Sequence, residues 1–591
     1  MDNNSQQVTY KFVDRKIIIR LRNRVCHSAE ELINSDLFRD VLTRYIRELG
    51  RQDSHLLEIF CKVKGTEITE KDIQRLIQFY QFLAKMPLEW IPKIFEDTTC
   101  FASDAHLLYI FNERFYDYWR KYERYIVCDS EGDELDKRPY RTFNATIESL
   151  MHLVRSLYRD IQENITGKHP NIFRQVHAGA ELATIALPKE VKLPEGSYQK
   201  LNGIGFIRQV LLYPPFLLHS PMNKRTGQFD RVHQNPLAML NIDKNEWLCY
   251  PAKVGSLLIL IYFHEKFFEL GCSLCNLFEL AEDEALNQKP DAIFLYGVPG
   301  RELDGLAQHA TVFYDDREHN VLVGAIPNRD EFGYFGYLKK MVLTLHNIKV
   351  MKMGRLPFHG AMIKIDMKKG NGVNILIIGD TGAGKSETLE AFRQIGDNDI
   401  REITIIADDM GSLEIGKEGI IGYGTETGAF VRLDDLQPGY AFGQIDRTII
   451  MNPSQVNARV VLPVTTYENI VRGFPVDMIL YANNYEETDE NHPIIEELHN
   501  PEAALSVFRE GTAMSKGTTT STGLVHTYFV NIFGAIQYQS LHDEIAQKYF
   551  EEFYRKGLFV GQLRTMLGIP GWEHKGPEEA AKALLKLMNK I

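Results

Sequence analysis

Along the first part of this 591-residue chain, apolar positions recur at helical spacing. Leu32, Leu37, Val41, Leu42, Tyr45 and Ile46 fall on one stripe, and Ile73, Leu76, Ile77, Phe79, Tyr80 and Leu83 on another. Between residues 143 and 161 the same period puts Ile147, Leu150, Leu153, Val154 and Leu157 on one side. Residues three and four apart share a helix face, so each stripe predicts an amphipathic helix. The pattern predicts an all-α N-terminal domain over residues 1–190. Nothing in it names a reaction.

Around residues 184–203 the texture changes, with prolines, glycines and short runs that mark a boundary. Strand-like runs bounded by turn residues then alternate with helices, at residues 292–296, 311–314 and 321–323. Further strands are expected at residues 403–407, 460–462 and 478–481. The reading is an α/β fold: one α/β domain over 200–350 and a second over 351–591, after the all-α region.

Composition adds limits. The chain is 44% hydrophobic and 25% charged, as ordinary soluble proteins are. Its net charge of −12 argues against a general binder of nucleic acid or anionic membrane. The longest apolar run, residues 254–263, falls far short of the ~20 residues a membrane-spanning helix needs. No basic segment followed by an apolar one opens the chain, so a soluble, cytoplasmic protein is expected. The seven scattered cysteines fit a reducing compartment better than a disulfide framework. Cys272 and Cys275 form a C-x-x-C with no second pair at zinc-ligand spacing, so a buried helix is their expected setting. The acidic segment 128–136 lacks the spacing of a calcium loop and reads as a solvated connection.

One stretch carries chemistry. The apolar run 374–378 leads into Gly379-Asp380-Thr381-Gly382-Ala383-Gly384-Lys385-Ser386, a complete G-x-x-x-x-G-K-[ST] phosphate loop (P-loop). Glycines let the backbone curl so that its N–H groups face phosphate oxygens, Lys385 adds a charge on the β- and γ-phosphates, and the Ser386 hydroxyl can ligate Mg²⁺. Residues from 387 on read as a helix, whose N-terminus also favours an anion. Downstream, an apolar run ends in Asp408-Asp409, the place of a carboxylate facing the nucleotide's metal ion. Upstream stand His359-Gly360, ahead of a strand, and the segment Tyr334 to Lys340, which closes on adjacent lysines.

At these residues the chain resembles the superfamily of HPr kinase/phosphorylase and ATP-dependent phosphoenolpyruvate carboxykinase. His359-Gly360, the loop through Glu387 and Ala407-Asp408-Asp409 are similar to the HPr kinase pattern. Tyr334, Gly336, Lys339, Lys340, His359, Lys385, Ser386, Asp408 and Asp409 follow the carboxykinase order, and Asn457-Ala458-Arg459-Val460 resembles its Asn-x-Arg-Val segment. Thr512-Ala513, Gly517-Thr518 and Phe533-Gly534-Ala535 are similar to its C-terminal nucleotide motif. The likeness covers about residues 200–591 and implies a two-lobed catalytic region.

The resemblance implies ATP, Mg²⁺ and Mn²⁺ as cofactors. Residues 379–386 and Arg459 would hold nucleotide phosphates, with Mg²⁺ at Ser386. Lys340 (as a neutral amine), His359 and Asp409 would hold Mn²⁺, and Tyr334 would contact CO₂. The implied reaction converts oxaloacetate to phosphoenolpyruvate. Two alternatives stay open: an HPr-kinase-like enzyme acting on a protein or small-molecule hydroxyl, with Asp408 or Asp409 as base, and a nucleotide-binding regulatory protein. Gln228 stands where carboxykinases carry a substrate arginine, with Arg225 or Arg231 as replacements. Glu496-Glu497 occupy the region of a second arginine, and none follows until Arg509. The family's Gly-Thr-Glu-Arg motif has become Gly517-Thr518-Thr519-Thr520. Neither nucleic acid nor membrane is expected as partner, and oligomeric state is not legible.

Overall fold

A computed structural model describes residues 9–21, 26–62, 67–129, 139–168, 177–225, 228–368, 372–380, 382–395, 399–436, 444–515 and 523–588. The chain divides into two compact units, Met1–Leu187 with Ile207–Tyr213, and Pro188–Phe206 with Pro214–Ile591. Both mix helices and strands, so the fold class is α/β.

In the first unit the apolar stripes become helices Asp36–Arg51, Glu70–Leu83, Ala105–Arg120 and Pro139–Thr166. Their starts are capped. Ser35 accepts from the Phe38 N–H at 3.2 Å, and Asp104 from the Leu107 N–H at 2.9 Å. The Ser35 cap also explains why Leu32 sits on a separate short helix, Ala29–Ile33, rather than on the helix that carries Leu42. Leu42, Leu76, Tyr80, Phe111 and Ile147 are buried in one core.

The expectation of an all-α N-terminal domain is corrected. Thr9–Val13 and Lys16–Leu21 form an antiparallel hairpin, and Lys16–Leu21, Glu123–Cys128 and Leu182–Pro188 pair in parallel. Ile17, Ile18, Ile19, Tyr125, Ile126 and Val127 are all buried. Strands covered on both faces show no alternation, so period-based reading does not separate them from helix segments. Arg124 and Glu181 form a buried ion pair beside these strands. A second expectation also changes: Cys61 and Cys100 form a disulfide across 39 residues of sequence, a distant pairing that spacing alone does not display.

In the second unit, one sheet runs Trp247–Val254, Leu257–His264, Ala292–Val298, Val321–Pro327, Val312–Asp316, Asp230–Val232. The apolar run 254–263 lies in this sheet, and no helix among the described residues is long and apolar enough to cross a membrane. A second sheet contains Met410–Ile415, Leu356–Met367, Val373–Ile378, Met478–Asn483 and Phe559–Arg564 in that order, with Ile400–Ala407 also paired to Leu356–Met367. Val373–Ile378, Met478–Asn483 and Phe559–Arg564 are mutually parallel. The helix Phe335–Lys352 is buried nearly all round and touches Ala292–Val298, Val321–Pro327 and Leu356–Met367. A helix buried on nearly every side belongs between layers, and this one brings Lys339 and Lys340 there.

Cys272 closes the short helix Phe268–Cys272, and Cys275 follows in the next turn. Both thiols are free, and burial pushes Cys275 up to about 12, which leaves it inert. Residues 130–138 of the acidic segment lie outside the described residues.

Candidate functional site

The glycine-rich loop follows the strand Val373–Ile378 and runs into the helix Lys385–Ile395. Gly382 and Gly384 have φ of +77° and +91°. A Cβ on Gly384 would also come within 2.7 Å of the Thr565 side chain, so glycine is required there twice over. Asn484 Nδ2 donates to the Gly382 carbonyl at 2.9 Å, and Thr565 Oγ1 donates to the Ala383 carbonyl at 2.7 Å. Lys385 Nζ lies back across the loop and donates to the carbonyls of Gly379 (2.6 Å) and Asp380 (3.0 Å). The Ser386 side chain is exposed, and Thr381 lies outside the described residues.

His359 and Gly360 tie this loop to the aspartates. In the strand Leu356–Met367, Gly360 faces Ile378, the last residue before the loop. A Cβ on Gly360 would stand 2.4 Å from the Ile377 carbonyl, so only glycine allows the two strands to approach this closely. The His359 carbonyl accepts from the Gly379 N–H at 3.1 Å, while the Gly360 N–H donates to the Asp409 carbonyl at 2.9 Å. The strand Ile400–Ala407 ends immediately before Asp408, as its sequence predicts.

Side chains converge at the same point. His359 Nδ1 is 2.5 Å from the Val530 carbonyl, which can only accept, so Nδ1 carries a proton. Its Nε2 is 3.0 Å from Asp409 Oδ1. These two atoms have two compatible states: an imidazolium–carboxylate bond, or two lone pairs directed at a shared cation. Val530 has φ of +50°, between Phe529 at +44° and Asn531 at +66°. A β-branched residue there is strained, and the strain falls where the carbonyl orients His359.

Asp409 Oδ2 accepts from Lys339 Nζ at 2.8 Å, and the same amine is 3.0 Å from Glu426 Oε1. Burial alone would raise the Asp409 carboxyl, but Lys339, His359 and Lys385 outweigh it and hold it well below the usual range. Glu426 goes the other way. Burial, helped by the Asp409 charge, pushes it up to about 8 despite Lys339. Lys340, the next residue, stands over the Phe533 ring at 4.9 Å. Burial and the Arg225 charge bring its amine down to about 8, with Asp409 and Asp380 opposing. Asp408 is half-buried, and its charge also acts on Glu426.

A second cluster surrounds Phe430. Lys339 Nζ lies 5.9 Å and the Arg459 guanidinium 5.6 Å from its ring, and the Tyr334 ring lies 6.0 Å away. Burial raises the Tyr334 hydroxyl, while a hydrogen bond with Arg459 and the charges of Lys339 and Arg225 oppose this. Arg225 therefore belongs to this cluster. Arg231 does not: it is 3.6 Å from Asp315 and lies over Tyr538. Glu496 pairs with Arg564 and Arg509 with Asp543, so neither supplies a free charge to the site. Gly517 to Thr520 lie outside the described residues.

A comparison with protein-family models finds no match, and a comparison with curated proteins finds none either. Geometry alone carries the reading.

Among the described residues, no group of three or more His, Cys, Asp or Glu side chains could hold a metal ion. The set formed by Lys340, His359 and Asp409 includes an amine, and its chemistry fits a divalent cation: an imidazole nitrogen, a carboxylate oxygen and an amine that gives up its proton near pH 8. Sequence reasoning passed over Glu426, Phe430, Val530, Asn484 and Thr565, which act through the tertiary fold and belong to no local motif. For Lys339 the neighbouring Lys340 was the available signal; its buried pairing with Asp409 was not.

Proposed function

We propose that this chain is a nucleotide-dependent phosphoryl transferase of carboxykinase type, which converts oxaloacetate and ATP to phosphoenolpyruvate, CO₂ and ADP. The observation that carries the reading is the bonding of His359-Gly360. Its backbone is joined both to the first glycine of the loop and to Asp409, with the imidazole on the same carboxylate. Motifs that are 20 to 50 residues apart in sequence thus meet at one point, as a donor site beside a metal site requires.

In this reading Lys385 and the loop N–H groups hold the β- and γ-phosphates, with Arg459 on the side of Tyr334. Lys340, His359 and Asp409 would hold Mn²⁺, and Ser386 would meet Mg²⁺. These cations would neutralise phosphate charge and polarise a substrate oxygen. Arg225 supplies the positive charge for a substrate carboxylate where Gln228 cannot. Lys339 keeps Asp409 ionised, so that its carboxylate is ready to accept a cation at neutral pH. Val530 holds the His359 ring so that Nε2 faces inward. Tyr334, buried beside Arg459, would lie against the departing CO₂. Cytoplasmic location belongs to the same reading.

One observation favours a second reading, an HPr-kinase-like enzyme with a hydroxyl acceptor: among the described residues, Arg231, Arg509 and Arg564 are all paired elsewhere and supply no free charge for a substrate carboxylate. The test is a coupled assay of the full chain with ATP, Mg²⁺, Mn²⁺ and oxaloacetate. Phosphoenolpyruvate should form, and Lys385→Ala should lower the rate by about 10²–10³ fold, as loss of a main charge-stabilising group does. Intact ATP binding with no phosphoenolpyruvate would overturn the carboxykinase reading. Transfer of labelled γ-phosphate to a seryl acceptor would then establish the second.

A further inference from the structure

The helices of the first unit line a cavity of about 80 Å³ that opens to the surface. One water molecule needs roughly 10–15 Å³ on such a measure, so this space admits a ligand of several heavy atoms. Its deeper wall includes Val41, Tyr80, Asn112, Phe115, Leu157 and Ile161, contributed by the four long helices. Leu37, Trp119 and Tyr158 are half-buried at its edge.

Asn112 and Tyr80 make this more than a packing defect. Asn112 is 4% exposed and occupies the buried stripe of Ala105–Arg120 beside Leu108, Phe111 and Phe115. Tyr80 is 0% exposed. Neither Asn112 Nδ2 nor Tyr80 Oη has a hydrogen-bond partner. A buried donor without a partner costs about 1–3 kcal/mol, and here two of them belong to residues that line one cavity.

The lining also selects against charge. No lining residue is ionised, so a carboxylate or phosphate entering the cavity would lose its hydration without a counter-charge. Six of the fourteen lining residues are aromatic, and Tyr116 and Tyr158 stack at 3.9 Å. Flat rings pack well against such walls. Both unpartnered atoms can donate.

We propose that the first unit is a binding site for a small, neutral aromatic molecule bearing one hydroxyl or carbonyl oxygen, which accepts hydrogen bonds from Asn112 Nδ2 and Tyr80 Oη. The site is independent of the nucleotide reading and stands whether or not the second unit is a carboxykinase.

The experiment uses phenol and toluene, which have the same shape and differ in the oxygen. Calorimetric titration of the full chain should give one phenol site with Kd below about 1 mM and toluene at least tenfold weaker, a difference worth about 1.4 kcal/mol. Tyr80→Phe and Asn112→Leu should each reduce that preference, and Leu157→Trp, which fills the cavity, should abolish binding. Tyr80→Phe removes only an oxygen without a partner, so it keeps the test valid if Leu157→Trp does not fold. No phenol binding, equal binding of phenol and toluene, or an unchanged preference in Tyr80→Phe and Asn112→Leu would each overturn the proposal.

Discussion

Around Asp409 the side chains of Lys339 and His359 each meet a carboxylate, whereas around Asn112 the polar groups are neutral and left over. Lys339 meets Asp409 and Glu426, and His359 meets Asp409 and the Val530 carbonyl. Near Asn112 and Tyr80 the surroundings are apolar, and two donors have no acceptor. The difference teaches what each place can take. A charge network of this kind is held ready for other charges, namely phosphates and cations. An apolar cavity with spare donors suits a neutral molecule that brings its own acceptor.

The largest expected effect breaks the matched side. Lys339→Met leaves Asp409 without its buried cation, and loss of one partner from such a pair costs about 3–5 kcal/mol. Urea unfolding of the full chain measures it. The double variant Lys339→Met with Asp409→Asn should recover most of the loss, because no lone charge then remains buried. A loss below about 1 kcal/mol in the single variant would mean that Asp409 is solvated, and the contrast between the two regions would fail.

Much of this site was legible in the sequence because its residues bracket strands. The run 374–378 became the strand Val373–Ile378, and the run before Asp408 became Ile400–Ala407. Glycines and terminal aspartates at such boundaries are local signals, so Gly379 to Ser386, His359 and Asp409 could be read in order. Glu426 could not. It lies between the strands Ile420–Gly424 and Gly428–Arg432, and nothing in its neighbours indicates that it reaches Lys339. The N-terminal strands were missed for a different reason. Ile17 to Ile19 and Tyr125 to Val127 are buried as continuous apolar runs, which carry no period. Asn112 also gave no signal, since one polar residue on an apolar stripe becomes informative only when its missing partner is known.

Acid sharpens the comparison next. Burial lowers His542 in the second unit to about 4, against an Asp543 charge that opposes the shift. The folded state then binds fewer protons than the unfolded state between pH 6.5 and 4, so stability falls as pH falls through that window. His542→Gln should remove a slope of about 1.4 kcal/mol per pH unit there. Glu426, raised to about 8, has the opposite sign: the folded state holds the extra proton between pH 8 and 4.5, and stability from this group rises as pH falls. In the first unit burial would raise Asp72, but Lys62 and Thr69 hydrogen bonds bring it to about 2. Its contribution is present above the unfolded value near 3.8 and is lost only below it. Unfolding free energies from pH 7 to 3 should therefore change slope above pH 4 in His542→Gln and remain parallel to wild type there in Asp72→Asn. A flattened slope in Asp72→Asn above pH 4 would show that the two regions do not titrate separately.

The smallest effect probes the unmatched side and has an unusual sign. Removal of a buried polar atom normally destabilises a protein, because its partner is left behind. Tyr80 Oη has no partner to leave, so Tyr80→Phe should raise stability, by about 1 kcal/mol. Saturating phenol should reverse the order, since wild type then satisfies the hydroxyl and gains RT ln(1 + [L]/Kd), while the variant binds less tightly and gains less. Thermal unfolding with and without phenol reads both signs in one experiment. Destabilisation by more than about 1 kcal/mol without ligand would reveal a partner for Tyr80, and the cavity would then differ from the charged site only in polarity and no longer in spare bonding capacity.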